Sequence, residues 1–391
     1  MEFFKEAQVL LKKNIREYGM YIALVVVMII FTFTTGGLFI SSRNISNLIN
    51  QTGYIAVLAV GMTLVIIIKH IDLSVGFIAG FLGAGAALLL TQGGVPVLLV
   101  IPIIMGVGIL IGIFYGFLIA KLTIPAFVVT LAGMMIFKGA ILKVTQGTGT
   151  IIIDNDFFNA IGNDFIPDIA SVGDYHLMTL IVGAVIICFY IWSELRNRRN
   201  KIKYHFTVPS ASILVIKLAI MSVIIAYITW VLAGYNGLSW TVVVVILIVA
   251  IYHFITTKTV LGRHIYAVGG NTEAAALSGI SVSKITIWVF GSMGFLSALS
   301  GILYASRLQA ATTTAGTGFE LDAIAAAFVG GVSATGGVGK IMGSIVGAIF
   351  MMSLTSGMNL MGIDISYQYI VRGSVLLAAV IFDVTTRNRR T

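Results

Sequence analysis

Charged residues are scarce in this chain of 391 residues, where they make up 10% of the sequence; a typical soluble domain carries about 25%. Between Leu73 and Ala120 there is no Asp, Glu, Lys or Arg, and residues 218–257 repeat this absence. A helix that spans a bilayer needs roughly 20 apolar residues, so the first stretch is long enough for two spans. The mean hydropathy of +1.04 also argues against a soluble protein.

Cysteine and proline are rare as well. A single cysteine, Cys188, excludes an intrachain disulfide, and five prolines leave room for long helices. Glycine is abundant, with 43 residues, which suits close packing of helices in a membrane. In a soluble protein the net charge of +9 would suggest a nucleic-acid partner; here it indicates basic cytoplasmic loops, and we expect no nucleic acid.

Enzyme and metal chemistry find little support in the sequence. The five histidines are scattered and show no metal-ligand spacing, so we expect no metal site. The Gly-x-Ser-x-Gly turn of a serine nucleophile does not occur. The sequence therefore favours a transport role over an intramembrane enzyme.

The apolar segments predict an all-α polytopic membrane protein with about ten transmembrane helices, and eight to twelve is the plausible range. The first follows a basic N-terminus and is interpreted as a retained span rather than a signal peptide, because no small-residue cleavage pattern follows it. The predicted segments are 19–35, 54–68, 76–90, 95–120, 126–144, 176–192, 211–233, 239–257, 285–304, 323–332, 341–360 and 367–381.

Charge assigns the intervening loops to the two sides of the membrane. Residues 1–18, the basic loop within 194–240, the loop 258–284 and the tail 384–391 carry Lys and Arg, so we expect all of them, with both termini, in the cytoplasm. The loop 145–175 has five Asp and no Lys or Arg, and we expect it outside.

Three predicted segments, 54–68, 76–90 and 323–332, are short and Gly-rich and lie beside charges. Short interrupted segments in corresponding halves of a transporter are typical of discontinuous helices near the transport site. The regions 54–90 and 320–352 are either relics of an internal duplication or a coincidence in a chain rich in Gly and Ala.

Five acidic residues lie in or beside apolar segments, where a carboxylate is costly unless it faces a partner or a cavity. They are Asp72, Glu320, Asp322, Asp364 and Asp383. Asp72 or Ser74 either caps a helix that enters at Gly76, with Lys69 as an ion-pair partner, or lines a permeation path.

The other charged residues in or beside apolar segments also allow more than one role. Glu320 and Asp322 are interpreted first as caps of an incoming helix. The cations Arg372 and Lys138 either reach the interface along their apolar stems or form an interior pair, for example Arg372 with Asp364.

The segment 269–280 predicts a helix much too short to span a membrane. Asn271 or Thr272 is the expected N-cap, Glu273 lies in the first turn, and Gly279 ends the helix. The basic residues on both sides place it in the cytoplasm, where it could dock on a soluble partner.

This segment and its surroundings resemble the coupling loop of sugar-importing ABC permeases of the ribose/xylose type. The resemblance covers nearly the whole chain in order. Its motifs are GRHIYAVGGN (262–271), EAAALSGI (273–280), HIDLSVG (70–76), IPAFVVTLAG (124–133), ELDAIAA (320–326) and GGVSATGGVG (330–339). The extra region 196–240 is similar to the xylose and multiple-monosaccharide permeases, which favours xylose or related aldoses.

The resemblance implies a single permease domain over residues 1–391 in a bacterial cell membrane. It implies a second copy of the chain, an ATPase with two fused nucleotide-binding domains and an extracytoplasmic sugar-binding protein. The chain has no phosphate-binding Gly-x-x-x-x-Gly-Lys-Ser/Thr loop, so we expect no cofactor on it and ATP with Mg on the ATPase.

The expected site residues fall into two groups. The contact with the ATPase is assigned to Glu273, Ala274, Ala275, Leu277 and Gly279. The translocation path is assigned to Asp72, Ser74, Thr130, Glu320 and Asp322.

Two alternatives stay open at this point. The cargo of such a permease could be a nucleoside, a furanone signal or a branched-chain amino acid. A secondary transporter driven by protons or sodium would instead use Asp72 and Asp322 to carry ions.

Overall fold

Long apolar stretches fold as helices here because a helix pairs all its backbone N–H and C=O groups internally, as a membrane requires. The computed structural model describes residues 15–147, 149–169, 171–172, 175–206, 208 and 210–388. The helices in this part of the chain are α1 (Ile15–Thr34), α2 (Ser42–Ile67), α3 (Val75–Thr91), α4 (Val97–Lys121), α5 (Ala126–Val144), α6 (Asp156–Asn163), α7 (Leu177–Lys203), α8 (Ala211–Ala233), α9 (Trp240–Lys258), α10 (Val260–Gly270), α11 (Thr272–Leu277), α12 (Val282–Leu308), α13 (Phe319–Val329), α14 (Ile341–Leu360) and α15 (Ile365–Asn388). The strands are β1 (Thr150–Ile152), β2 (Ser171–Val172), β3 (Tyr175–His176) and β4 (Ala310–Thr312).

The all-α polytopic fold is confirmed. Within the described ranges, nine helices are long and apolar enough to cross a membrane, and Gly19–Thr34 and Val75–Thr91 are shorter apolar helices. The predicted number of about ten agrees with these helices.

Two local predictions were wrong. The segment 54–68 was expected to be short, but α2 begins at Ser42 because its polar first half is held by side-chain contacts; Ser41 accepts a bond from the Asn44 N–H, and the Ser239 hydroxyl donates to Asn50. The basic stretch 194–203, expected as a loop, continues helix α7. The cations Lys5, Lys12 and Lys13, the tail residues Arg389 and Arg390, and Asp174 lie outside the described residues.

Helix α12 lies at the centre of the bundle and packs against α2, α3 and α4. Glycine allows its closest approach, to α4: a methyl group at Gly108 would collide with the backbone of Gly294, and one at Gly112 with that of Phe290. Small residues at helix crossings are the usual solution in membranes, where close van der Waals packing holds helices together.

Two ends of the bundle can be told apart. The end that carries the loop 145–176 is called the acidic end, and the end that carries α10 and α11 is called the basic end. At the acidic end, β1 pairs antiparallel with β4, and the buried Ser306 hydroxyl donates to Phe158 O (2.6 Å) while it accepts from Gly162 N (2.7 Å). The loop of the acidic end is therefore held to the end of α12 by hydrogen bonds.

Helix α7 is fixed at the same end by Asp168. Its carboxylate accepts bonds from the backbone N–H groups of Leu177 (3.0 Å) and Met178 (2.9 Å), in the first turn of α7. Desolvation raises the pKa of Asp168, but these donors outweigh it and hold the pKa below its usual value.

Candidate translocation site and coupling surface

Two short helices, α3 and α13, each follow a full-length helix and a non-helical connection. Their first turns touch inside the bundle: a methyl group at Gly76 would collide with the carbonyl of Gly316 and meet the Glu320 carboxylate at 2.5 Å. Gly316 has φ +84° and Gly318 has φ +80°, values that favour glycine. The short Gly-rich stretches 76–90 and 323–332 thus form two discontinuous segments with short helices, and their direct contact is a feature that the sequence did not predict.

The first segment contains Asp72 and Ser74, both buried between α2 and α3. Ser74 donates its backbone N–H (2.9 Å) and its hydroxyl (2.6 Å) to Asp72 Oδ1. The expected side-chain cap on α3 is therefore wrong in detail, because the carboxylate binds the turn before the helix and Ser74 makes no cap bond. Buried Thr130, on α5, donates to the carbonyl of Ile71 at 3.4 Å.

The second segment contains Glu320 and Asp322 in the first turn of α13. Arg372 on α15 donates from Nη1 to Asp322 Oδ2 (3.2 Å) and from Nη2 to Thr355 on α14 (2.9 Å). The suggested pair of Arg372 with Asp364 is wrong, since Asp364 accepts from the Ser366 N–H at 2.8 Å.

Polar atoms without protein partners lie beside this pair. Among the described residues, Glu320 Oε2 and Asp322 Oδ1 are buried and accept no hydrogen bond. A cavity of about 90 Å³ is bordered by Asp322, Tyr369 and Arg372. These carboxylate oxygens can accept bonds from the hydroxyl groups of a polar solute.

Aromatic rings accompany the second segment on the side of the acidic end. Phe319 lies 4.9 Å from the rings of both Tyr54 and Tyr304, between ring centroids. No local pattern indicates this cluster, because its members lie on three different helices, α2, α12 and α13.

The basic end presents the short helix α11. Asn271 Oδ1 accepts from the Ala274 N–H at 3.0 Å, which confirms one of the two expected N-caps, and Gly279 ends the segment with φ +84°. The side chains of Glu273, Ala274 and Leu277 are exposed, and Leu277 is 91% exposed. Ala275 is buried beneath them.

A contact made almost wholly of backbone connects α10 with both discontinuous segments, and it is called the glycine junction (Ile67, Gly269 and Gly337). The Gly337 N–H donates to Ile67 O at 2.9 Å. A methyl group at Gly269 would collide with that same carbonyl and lie 2.8 Å from Gly337 N, whereas one at Gly270 would meet nothing within 4 Å. The glycines are evident in the sequence, but their contact in the fold is not.

Further bonds hold the same region. Lys69 does not pair with Asp72 as suggested; its Nζ donates to Gly270 O at 3.4 Å. Tyr266 donates to Gly339 O at 2.6 Å. Asp383 on α15 accepts from Ser333 Oγ and Ala334 N, both at 3.1 Å, so it fixes the Gly-rich turn after α13.

The second cation that the sequence singled out, Lys138 on α5, lies over the Phe77 ring at 5.8 Å from its centroid. In the described part of the chain, no group of three or more His, Cys, Asp or Glu residues could hold a metal ion.

Comparisons with known proteins give a consistent result. Residues 44–380 match the family described as the branched-chain amino acid transport system permease component. The chain is 39% identical to the xylose transport system permease protein XylH of Escherichia coli (strain K12), over 96% of this chain and 93% of that protein. It is 38% identical to XylH of Haemophilus influenzae, over 96% and 98%, and 35% identical to the ribose import permease protein RbsC of the same organism, over 94% and 93%. No solved structure matches the chain.

Proposed function

The chain belongs to the family of branched-chain amino acid transport system permease components, and from this premise we propose that it is the membrane subunit of an ATP-driven importer of xylose or related aldoses. The observation that carries the proposal is the full-length similarity to permeases named for xylose and ribose, which covers 96% and 94% of the chain. The chain is a transport component and not an enzyme.

The proposed assembly contains two copies of this chain, an ATPase with two nucleotide-binding domains and an extracytoplasmic binding protein that delivers the sugar. The basic end faces the cytoplasm, together with both termini, since loops rich in Lys and Arg stay on that side. The ATPase binds ATP and Mg, because this chain has no phosphate-binding loop.

The coupling surface consists of Glu273, Ala274, Leu277 and Gly279, with Ala275 as the buried anchor of α11. When the ATPase closes, it displaces α11 and the adjoining α10. At the glycine junction the contact is made by backbone atoms, which cannot yield as a side chain can, so the end of α2 and the turn after α13 move with α10. Both discontinuous segments then shift, and access to the pore changes from one side to the other.

The translocation path follows the contact between the two segments. Asp72, Ser74 and Thr130 border it from the basic side, and Glu320 and Asp322 from the acidic side. The buried carboxylate oxygens without protein partners support this role, since a sugar offers hydroxyl donors to such acceptors. In keeping with the family, much of the sugar selectivity resides in the binding protein.

Uptake of labelled xylose by liposomes that contain this chain with its ATPase tests the proposal. We expect uptake that requires the binding protein outside and ATP at the basic end, and that persists when a proton or sodium gradient is collapsed. Uptake that stops only on gradient collapse would contradict the proposal and favour the secondary transporter. ATP-dependent uptake of a nucleoside or amino acid in place of xylose would retain the class and change the cargo.

A further inference from the structure

Helices α7 and α8 form a hairpin at the edge of the bundle and pack mainly against each other. In their most apolar windows, 11% of α7 and none of α8 is buried inside the protein. Lipid therefore reaches these helices from several sides. The proposed transport function does not use this region.

One face of α7, called the outer face, changes its chemistry along the helix. Residues three or four apart share a helix face, and here the exposed ones are first apolar and then basic. In chain order they are Ile181, Val185, Phe189, Trp192, Arg196, Arg199 and Lys203. A shallow apolar groove runs along the first half, from Ile181 to Trp192.

The change falls where a membrane surface is expected. From Leu177 to Trp192 the helix is about 24 Å long, which is close to the hydrocarbon thickness of about 30 Å. The Arg196 guanidinium lies over the Trp192 ring, 5.1 Å from its centroid. An aromatic ring beside a cation at this depth is typical of the headgroup region.

The acid of α7 does not neutralise this face. Glu194 points toward α8, where it forms an ion pair with Lys217 at 2.9 Å. This ion pair lies in a cleft between α7 and α8, on the inner side of the hairpin, and Arg198 and Lys201 border the same cleft. The cations of α7 are thus divided between an inner side, which holds Glu194, and an outer face without an acid of α7.

We propose that the outer face of α7 binds an anionic phospholipid. Its acyl chain lies in the groove between Ile181 and Trp192, and its phosphate is held by Arg196 and Arg199. Guanidinium groups bind phosphate oxygens in pairs, and a basic cluster directly beyond a membrane span attracts anionic headgroups. The apolar groove in line with the cations favours a lipid over a soluble anion.

Thermal melting of the full chain in detergent tests this inference with added lipid. We expect phosphatidylglycerol to raise the melting temperature of the wild type, and phosphatidylcholine to raise it much less. The double variant Arg196→Gln/Arg199→Gln should need about 30-fold more phosphatidylglycerol for the same shift, since each cation near an anionic surface changes binding about fivefold. Native mass spectrometry counts the lipid retained by each variant.

The matched control is Arg198→Gln/Lys201→Gln, which removes the same charge from the same helix on the inner side, and it should respond to phosphatidylglycerol like the wild type. Equal loss in both double variants would overturn the proposal, because net charge alone would then explain the effect. An equal shift with inorganic phosphate would overturn it in favour of a soluble anion. Loss of binding to the ATPase with an unchanged lipid response would overturn it in favour of a protein contact.

Discussion

The two discontinuous segments differ in how their carboxylates are held. In the segment before α3, Asp72 is bound within two residues by the backbone and hydroxyl of Ser74. In α13, Asp322 is bound by Arg372, fifty residues away on α15. The Asp72 carboxylate can therefore move together with its donor, Ser74, without loss of these bonds. The second segment cannot move without carrying α15 along or breaking an ion pair.

From this difference we expect the two sides of the contact between Gly76 and Gly316 to move by different amounts during transport. The α13 side is held to α14 and α15 through Thr355 and Arg372, so we expect it to shift only together with those helices. The α3 side is held by the bonds of Ser74 within a short turn and by one long bond from Thr130 on α5, so we expect it to shift farther. The glycine junction contacts the chain next to both segments. A substitution there should therefore disturb both segments at once.

The largest effect is expected from Gly269→Ala. The added methyl group collides with Ile67 O, and overpacking of this kind costs about 1–3 kcal/mol, enough to change coupling about fivefold or more. We expect uptake per ATP hydrolysed to fall by at least this factor in liposomes, while the ATPase still binds. The variant Glu273→Arg should instead weaken ATPase binding itself.

Gly270→Ala is the matched control, since its methyl group meets nothing within 4 Å and alanine is the better helix former. It should transport like the wild type. If Gly269→Ala also transported normally, in a system where wild-type uptake requires ATP, the junction would not be the coupling element although the transport function would stand.

Breaking the long-range ion pair is expected to have the next largest effect. Arg372→Met leaves the buried Asp322 carboxylate without its cation, and loss of one partner of such a pair costs about 3 kcal/mol. We expect the variant to melt several degrees below the wild type in detergent. The double variant Arg372→Met/Asp322→Asn, which removes the charge as well, should recover much of the loss. No recovery would show that Arg372 acts by packing rather than by pairing.

The sequence predicted the fold class, the short apolar helices and the cap at Asn271 because each depends on neighbouring residues. It did not predict that Arg372 pairs with Asp322, because several intramembrane acids were equally available and only the packing of α13 against α15 selects one. The start of α2 was missed for a related reason. Asn44 and Asn50 appear polar in a hydropathy profile, yet both are satisfied by partners inside the bundle.

The two regions that the sequence suggested as relics of a duplication do not share the same order of helices. The regions 54–90 and 320–352 were compared, but the first contains a long helix followed by a short one and the second contains them in the opposite order. The order found in α2 and α3, a long helix followed by a short one, occurs again in α12 and α13. In both pairs a full-length helix ends, a non-helical connection follows, and a short apolar helix begins.

Substitutions at Asp72 test the first segment alone, and we expect them to change uptake less than the substitutions above. Asp72→Asn keeps an oxygen that accepts from Ser74, so the turn before α3 should form and the amount of inserted protein should not change. Removal of the charge should still slow xylose uptake several-fold, because a carboxylate accepts hydroxyl donors more strongly than an amide does. Asp72→Ala loses the acceptor too and should lower both insertion and uptake, since a buried donor without its partner costs about 1–3 kcal/mol. Unchanged uptake kinetics in Asp72→Asn would assign Asp72 to the turn alone and leave the path to Glu320 and Asp322.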